Sequence, residues 1–240
     1  VVKDEVALEA AFCAMSDIAG GLVEAFVPGE MLHVDGLVHR GEIVLTSVSR
    51  YVRGCLAFGR GESLISVQLD ADNPLRERLA AFAQRVLRAM PLPELTPYHL
   101  EVFHTPDDRL VFCEIASRVS GGRLREVVLH THGIDLGKTW VEWQLGLRSE
   151  IDAPRRPSHV CGDAAIPPRA GRIQSFARSI DIAGILDLDI QCRPGDELPP
   201  PMTSVSSMAT ILAEAPTERE LTRRLVEAVE RFERSCVFSA

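Results

Sequence analysis

Hydrophobic and polar positions along the chain follow two different periods. Residues 4–15 and 75–90 carry apolar side chains at helical spacing, which predicts two amphipathic helices. Arg40 and Gly41 separate two apolar runs and predict a hairpin turn. The short apolar runs predict three strands, at residues 22–27, 32–38 and 42–48.

The second half of the chain predicts a mixture of strands and helices. A β-hairpin is expected at residues 98–116, with helices following at about 122–132 and 135–147. A last helix should begin at Glu218, where Thr217 and Glu220 form the pattern of a capping box. Further strands are predicted at residues 171–180, 186–192 and 207–214. The chain therefore reads as an α+β protein.

Between Ala153 and Arg172 the composition changes to proline, glycine and arginine. We place a soft domain boundary there and divide the chain into residues 1–152 and 153–240. The first part carries the candidate chemistry, and the second is expected to pack against it as a C-terminal extension.

Composition and charge limit the classes of function. The chain has 240 residues, of which 46% are hydrophobic and 25% are charged, so a packed core is expected. The net charge of −8 argues against nucleic acid as the main partner, although it does not exclude nucleotides. The sequence shows no long apolar run and no signal peptide, which predicts a cytoplasmic protein that is not in a membrane. The six cysteines form no CxxC pair and are expected to be reduced and mostly buried.

The hairpin at residues 98–116 carries the most informative acidic residues. If Asp107 and Asp108 form a two-residue tip, Pro106 faces Arg109, Phe103 faces Phe112, and Glu101 faces Glu114. A four-residue loop gives the same pairs, whereas a three- or five-residue loop shifts the register and removes them.

Two facing carboxylates repel each other unless a cation lies between them. Glu101 and Glu114 therefore predict a Mg²⁺ site, because Mg²⁺ prefers a few carboxylates together with phosphate oxygens. The alternative is a solvated hairpin whose glutamates point into water, and polarity alone does not decide between the two. If the strand continues, Arg118 shares the face of Glu114 and brings a guanidinium close to the metal.

This segment resembles the metal-binding signature of ATP-grasp enzymes. The matching residues are His99-Leu100-Glu101-Val102-Phe103, Glu114-Ile115-Ala116-Ser117-Arg118 and Gly121-Gly122. The resemblance implies that Glu101 and Glu114 bind the Mg²⁺ ions that bridge the ATP phosphates, and that Arg118 contacts the transferred phosphate. Ala116 stands where many members have a metal-binding asparagine, which weakens a fully coordinated two-metal site.

A second segment resembles the adenine-binding hinge of the same family. It comprises Val23-Glu24-Ala25-Phe26-Val27-Pro28-Gly29 and the strand that follows. The resemblance implies that Glu24 accepts a hydrogen bond from the adenine amino group, and that the backbone of Ala25 and Val27 lines the base. Met31 stands where the family usually has a ribose-binding glutamate.

Two further matches concern the phosphates. Val1-Val2-Lys3 resembles the end of a buried strand whose lysine binds ATP phosphates, so Lys3 is a candidate ligand. In the family a glycine-rich loop follows this lysine and a further domain precedes it, and we expect both to be missing from the sequence as printed. Gly121 and Gly122 at the start of a helix are candidates for a backbone cradle around phosphate or substrate.

The resemblance implies an ATP-grasp fold, an antiparallel sheet with flanking helices, and an ATP- and Mg²⁺-dependent ligase. Such an enzyme joins a small carboxylate, which includes amino acids, to an amine through an acyl phosphate. Two alternatives stay open. One is a carboxyphosphate-forming unit similar to biotin carboxylase or carbamoyl-phosphate synthase, and the other is a non-catalytic nucleotide-binding domain. The oligomeric state is open, a homodimer included.

The histidines outside the signature are expected to have ordinary roles. His33, Asp35 and His39 alternate on one strand face, which we expect to face solvent. His130 and His132 lie near a helix C-terminus, where a histidine interacts favourably with the helix dipole. Their spacing suits neither a helical metal pair nor a zinc site.

Overall fold

An eight-stranded antiparallel sheet runs through the protein in the computed structural model, which describes residues 1–15, 22–53, 55–201 and 206–239. The strands are β1 (Glu30–His39), β2 (Glu42–Tyr51), β3 (Leu64–Gln68), β4 (Leu95–His104), β5 (Leu110–Ala116), β6 (Val160–Ile166), β7 (Gly171–Ser175), β8 (Ile185–Ile190), β9 (Glu197–Leu198), β10 (Ala209–Ala215) and β11 (Val237–Phe238). The large sheet has the order β5-β4-β1-β2-β3-β6-β10-β8. A small sheet has the order β11-β7-β9.

Helices cover both faces of the large sheet. They are α1 (Glu5–Ala14), α2 (Cys55–Phe58), α3 (Leu75–Arg88), α4 (Leu124–His132), α5 (Leu136–Gln144) and α6 (Glu218–Ser235). On one face α3 packs on β1 and β2, and α6 packs on β3, β6 and β10. Each fully buried leucine there, such as Leu225, contributes about 1.5–3 kcal/mol. On the other face α4 and α5 pack on β6 and β4.

Most long elements agree with the prediction from sequence. The hairpin of β1 and β2 turns at Arg40 and Gly41, whose φ angles of 52° and 82° fit the two left-handed positions of a type I′ turn. At the start of α6 the Thr217 hydroxyl accepts a hydrogen bond from the Glu220 N–H at 3.3 Å, as the capping pattern predicted. The two α helices after the hairpin, and α1 and α3, also lie where periodicity placed them.

Several predictions are wrong at the start of the chain. Residues 22–27 form no strand and are irregular. Val1, Val2 and Lys3 are also irregular, and Val1 is 83% exposed, so this segment is not the end of a buried strand. Apolar character alone suggested strands here, but neither segment pairs with the sheet.

The segment with the proline, glycine and arginine composition contains a central strand. β6 is buried along its whole length and pairs with β3, which the sequence analysis missed, and with β10. Strands from both sides of Ala153 thus share one sheet, and the division into residues 1–152 and 153–240 stays a prediction.

Only Cys161 and Cys192 are buried among the six free cysteines, so the expectation of mostly buried thiols is wrong. In the part of the chain that the structure describes, no helix is both long and apolar enough to cross a membrane.

Candidate active site

Glu101 on β4 and Glu114 on β5 stand directly opposite each other. The loop between their strands is not the predicted two-residue tip, because the Thr105 N–H donates to the Arg109 carbonyl at 2.9 Å and leaves residues 106–108 as a three-residue loop. The Asp108 N–H donates to the Thr105 carbonyl, and Asp108 has a φ of 60°, which is the usual form of such a loop.

A β-bulge restores the pairing of the two glutamates. The register near the tip differs from the prediction, since Phe103 faces Val111 instead of Phe112, and Pro106 lies in the loop instead of facing Arg109. The register then shifts by one residue between Val102 and Glu101. Cys113 is the extra residue on β5. The carboxylate pair is thus present, but for a different reason from the one proposed from sequence.

Glu101 is held by neighbours on the same face of the sheet. The Tyr51 hydroxyl donates to Glu101 Oε1 at 3.1 Å, and His99 Nε2 lies 3.6 Å from the same oxygen. The Glu101 side chain is 13% exposed, and this burial raises its pKa. Hydrogen bonds and charge from His99, together with Tyr51, outweigh burial and set the pKa below its ordinary value. Glu101 is therefore ionised at neutral pH.

A buried hydrogen-bond network continues from His99 into the sheet. Asp35 Oδ1 lies 2.8 Å from His99 Nδ1, and Asp35 Oδ2 lies 2.6 Å from His33 Nδ1. His33 Nε2 then lies 2.7 Å from Ser66 Oγ. Burial raises the pKa of Asp35, but the two imidazoles outweigh it and hold that pKa well below its usual range. Burial lowers the pKa of His99, yet its carboxylate partners Asp35 and Glu101 raise it to about 9.

This network corrects the expectation that this face of β1 is solvated. His33 and Asp35 are 0% and 2% exposed, and their hydrogen-bond partners are His99 and Ser66 on neighbouring elements of the sheet. His39 lies farther along, where its ring packs edge-on against Trp143 at 4.8 Å. The sequence contained one indication of this network. His33 and Asp35 alternate on β1, and His99 and Glu101 alternate on β4. The antiparallel register places His33 opposite Glu101 and Asp35 opposite His99.

An apolar cavity of about 970 Å³ opens beside the carboxylates. The predicted hinge residues Glu24, Ala25 and Val27 line it, as does Met31. Tyr51 also lines it and links the cavity to Glu101 through its hydroxyl. The remaining wall is largely aliphatic and aromatic, which is typical of a site for a flat organic group.

Charged side chains lie in the wall of this cavity and close to it. Burial, together with the negative charges of Glu101, Glu114 and Glu24, raises the pKa of the Cys113 thiol to about 11. These three glutamates, all predicted ligands, therefore lie close to Cys113, the bulge residue that lines the cavity. The guanidinium groups of Arg50 and Arg219, which the sequence analysis missed, line the same cavity.

The irregular hinge segment is fixed against the sheet by Gly29. Gly29 has a φ of 144°, and a Cβ at this position would lie 2.3 Å from the His104 carbonyl oxygen. Only glycine permits this close approach to the end of β4. Residues 22–27 thus line the cavity without being part of the sheet.

The other predicted site residues lie at different places. Lys3 is exposed and, in the described part of the chain, does not line the cavity, whereas Val1 and Val2 do. Arg118 is exposed beyond the end of β5, and its Nη1 donates to the Val119 carbonyl at 3.1 Å. Gly121 and Gly122 precede α4 and lie outside the cavity wall.

The side chain of Asp163, a residue of β6, lies at the N-terminal end of α4 beside Gly122. Its Oδ2 accepts a hydrogen bond from the Arg123 N–H at 3.1 Å, and a Cβ on Gly122 would lie 3.0 Å from that oxygen. Burial raises the pKa of Asp163 to about 6, although the Arg123 N–H lowers it in part. Its Oδ1 is buried without a hydrogen-bond partner among the described residues. Sequence reasoning missed Asp163, because a single acid within a strand carries no distinguishing pattern.

Comparison with known proteins gives one match in sequence and many in structure. No protein-family model matches the sequence. An L-arginine-specific L-amino acid ligase from Bacillus subtilis is 26% identical over 200 residues, which cover 79% of this chain and 46% of the ligase.

Solved structures share the arrangement of strands and helices. An L-amino acid ligase from Bacillus licheniformis has a TM-score of 0.69 at 14% identity, covering 90% of this chain and 53% of that one. A phosphoribosylglycinamide synthetase from Anaerococcus prevotii has a TM-score of 0.67 at 12% identity, covering 99% of this chain and 61% of that one. The chain thus spans about half the length of the proteins it matches. At these identities the structural likeness shows the fold.

Proposed function

Because this chain has the ATP-grasp fold, we propose that it is the nucleotide-binding and catalytic part of an ATP-dependent carboxylate–amine ligase. The observation that carries the proposal is the facing pair of Glu101 and Glu114, which Tyr51 and Cys113 connect to the wall of an apolar cavity. Like charges in such a pair cost stability without a cation. A nucleotide accounts for both features together. The cation bound to its phosphates would neutralise the carboxylate pair, and its flat base would fill the apolar cavity.

Mg²⁺ fits the donor set. Glu101 and Glu114 supply oxygen atoms only, and the lowered pKa of Glu101 keeps its carboxylate ionised. Ala116 offers no ligand atom, so the remaining ligands must be phosphate oxygens or water. When bound, Mg²⁺ would neutralise the charge on the ATP phosphates and make the terminal phosphorus more electrophilic.

The residues of this chain have distinct roles in the proposed reaction. Glu24, Ala25 and Val27 bind the adenine in the cavity, and Lys3 binds phosphate. The substrate carboxylate oxygen attacks the γ-phosphorus of ATP, which forms an acyl phosphate and releases ADP. The amine nitrogen then attacks the acyl carbon, the bond from that carbon to the phosphate oxygen breaks, and the amine loses a proton. Arg118 stabilises charge on the departing phosphate, and Gly121 and Gly122 present backbone N–H groups to substrate.

Amino acids are the first substrates to examine. This proposal comes from the similarity to a ligase described as specific for L-arginine, which matches 79% of the chain. The net charge of −8 supports small-molecule partners over nucleic acid. The domains 1–152 and 153–240, a homodimer and a cytoplasmic location are proposed alongside, and light scattering on the purified chain measures the oligomeric state directly.

Calorimetric titration of Mg·ADP tests the nucleotide site. The 240-residue chain should bind Mg·ADP in a metal-dependent manner, and Glu101→Ala and Glu114→Ala should each weaken binding by about tenfold or more. Glu150→Ala is the matched control, because this exposed glutamate lies outside the cavity. Equal binding by all four proteins would contradict the metal assignment.

The reaction is tested by ADP release from the full-length protein. Release that depends on an amino acid together with an amine supports the ligase. Bicarbonate-dependent release would instead support a carboxyphosphate-forming enzyme. ADP binding without turnover on any acid would indicate a non-catalytic nucleotide-binding domain.

A further inference from the structure

Three potential metal ligands meet at the end of α4 that lies away from Gly122. His130 is in the last turn of α4, His159 precedes β6, and Glu214 lies on β10. Their donor atoms all lie within 4.8 Å of one another. The strand order places β10 and β6 apart from β4 and β5, with three strands between, so this cluster is separate from the Glu101–Glu114 pair.

The distances in this cluster are close to those of a metal site. His159 Nε2 lies 3.3 Å from Glu214 Oε2, and His130 Nε2 lies 2.7 Å from the same oxygen. In a tetrahedral zinc site with bonds of about 2.0–2.1 Å, neighbouring donors are roughly 3.3 Å apart. A modest separation of His130 and Glu214 would therefore admit the ion without moving the backbone elements.

One ring nitrogen lacks a proper partner. His159 Nε2 is buried and makes no hydrogen bond of acceptable geometry in the described residues, although Glu214 is near. The other nitrogen of the ring, Nδ1, lies 3.2 Å from Ser158 Oγ. Metal-bound histidines commonly use their second nitrogen in this way, which fixes the ring and leaves the first nitrogen for the metal.

The exposure of the cluster also fits a metal. The three side chains are 30–35% exposed, so an ion can enter from solvent. The ring centroids of His130 and His159 are 5.1 Å apart, and the Nε2 atoms of the two rings lie 2.7 and 3.3 Å from Glu214 Oε2. Two imidazoles and one carboxylate form a donor set typical of zinc with an open position for water.

We infer that His130, His159 and Glu214 form a binding site for a divalent transition-metal ion, with Zn²⁺ as the best chemical match. The ion would connect the end of α4 to β6 and β10, three elements that are distant in sequence. The site does not depend on the proposed ligase activity. His130 also lies in the last turn of α4, as predicted, and its partner in the cluster is His159 from another part of the chain instead of its helix neighbour His132.

Zinc titration of the metal-free chain tests this site, with excess Mg²⁺ present to occupy the other carboxylates. We expect one equivalent of Zn²⁺ to bind, and Co²⁺ to give the visible bands of a low-coordinate nitrogen and oxygen site. His130→Ala, His159→Ala and Glu214→Gln should each lower the Zn²⁺ affinity by about tenfold or more. Zn²⁺ should also raise the Tm of the parent chain by more than it raises that of Glu214→Gln at the same Zn²⁺ concentration.

His104→Ala is the matched control. His104 Nε2 lies 2.7 Å from Asp108 Oδ1, the same distance as in the His130–Glu214 pair, but no third donor completes a cluster there in the described residues. This variant should bind Zn²⁺ like the parent. The inference is wrong if the parent binds no Zn²⁺, or if folded variants of all three ligands bind it with unchanged affinity. Circular dichroism establishes that each variant is folded.

Discussion

Tyr51 donates a hydrogen bond to Glu101 across the sheet, from the end of β2 to the middle of β4. The same tyrosine lines the apolar cavity, which is the candidate site for the adenine. One side chain therefore contacts both this cavity and Glu101, a candidate metal ligand. The position of the Glu101 carboxylate is thus determined by Tyr51 on one side and His99 on the other.

Tyr51→Phe should weaken binding of Mg·ADP by about tenfold while the protein stays folded. Without the hydroxyl, the Glu101 carboxylate loses the donor that orients it, although the ring still lines the cavity. Calorimetric titration measures the effect. Tyr98→Phe serves as the control, because its hydroxyl contacts Thr46 at 3.4 Å and Glu101 is not its partner. Equal losses in both variants would indicate a general effect of removing a buried hydroxyl.

Asp35→Asn should lower the free energy of unfolding by about 3 kcal/mol at neutral pH. Asp35 accepts from both His33 and His99, and an amide presents only one acceptor to two imidazole nitrogens. Urea denaturation measures the change. Asp107→Asn is the comparison, since this exposed carboxylate pairs with Arg109 on the surface and its loss should change the free energy of unfolding far less than the loss of Asp35. A small change in the free energy of unfolding for Asp35→Asn would mean that the hydrogen-bond network contributes little to stability.

Asp163 should make stability depend on pH in the acid range. Its pKa is raised from 3.8 to about 6 in the folded protein, so the folded state holds a proton more tightly than the unfolded state. The stabilisation is complete below the unfolded pKa and is lost as pH rises through the folded value. The parent should therefore lose stability relative to Asp163→Asn between pH 3.8 and about 6.

The asparagine variant retains an acceptor for the Arg123 N–H and carries no charge. Above pH 6 it should be more stable than the parent by about 1–3 kcal/mol. Urea unfolding of both proteins across this range gives the difference directly. Parallel curves for the two proteins would show that Asp163 titrates normally.

Gly122→Ala and Gly121→Ala should differ, although the two glycines are adjacent. Gly122 has a φ of 62°, and its added Cβ would meet Asp163 Oδ2 at 3.0 Å, whereas a Cβ on Gly121 meets nothing within 4 Å. We expect a loss of about 1–2 kcal/mol for Gly122→Ala and little change for Gly121→Ala. Thermal unfolding measures both. Similar values would mean that the left-handed conformation at Gly122 is not required.

The sequence predicted the long periodic elements well, because their local pattern decides them. The hairpin at Arg40 and Gly41 and the helices α3 and α6 depend on turn residues and on stripes within a short span. β3 was missed because it is short. β6 was missed because proline and glycine around it suggested a boundary, whereas its pairing partners lie far away in the chain.

The sequence predicted the two candidate metal ligands but not the residues that surround them. Glu101 and Glu114 stand out as acids on alternating strands, so the sequence exposes them. Tyr51, Asp35 and Asp163 become recognisable only when β1 lies between β2 and β4 and when β6 joins the sheet. These are long-range contacts, which local periodicity does not contain.

The three-residue loop and the bulge at Cys113 together have a consequence for insertions and deletions in this hairpin. Each alone displaces the strands by one residue, and their effects cancel at Glu101 and Glu114. A chain that gains one residue at the tip and loses Cys113 would keep the carboxylates opposite each other, while either change alone would separate them. A one-residue insertion or deletion between Glu101 and Glu114 therefore keeps the two carboxylates opposite each other only when a second change compensates for it.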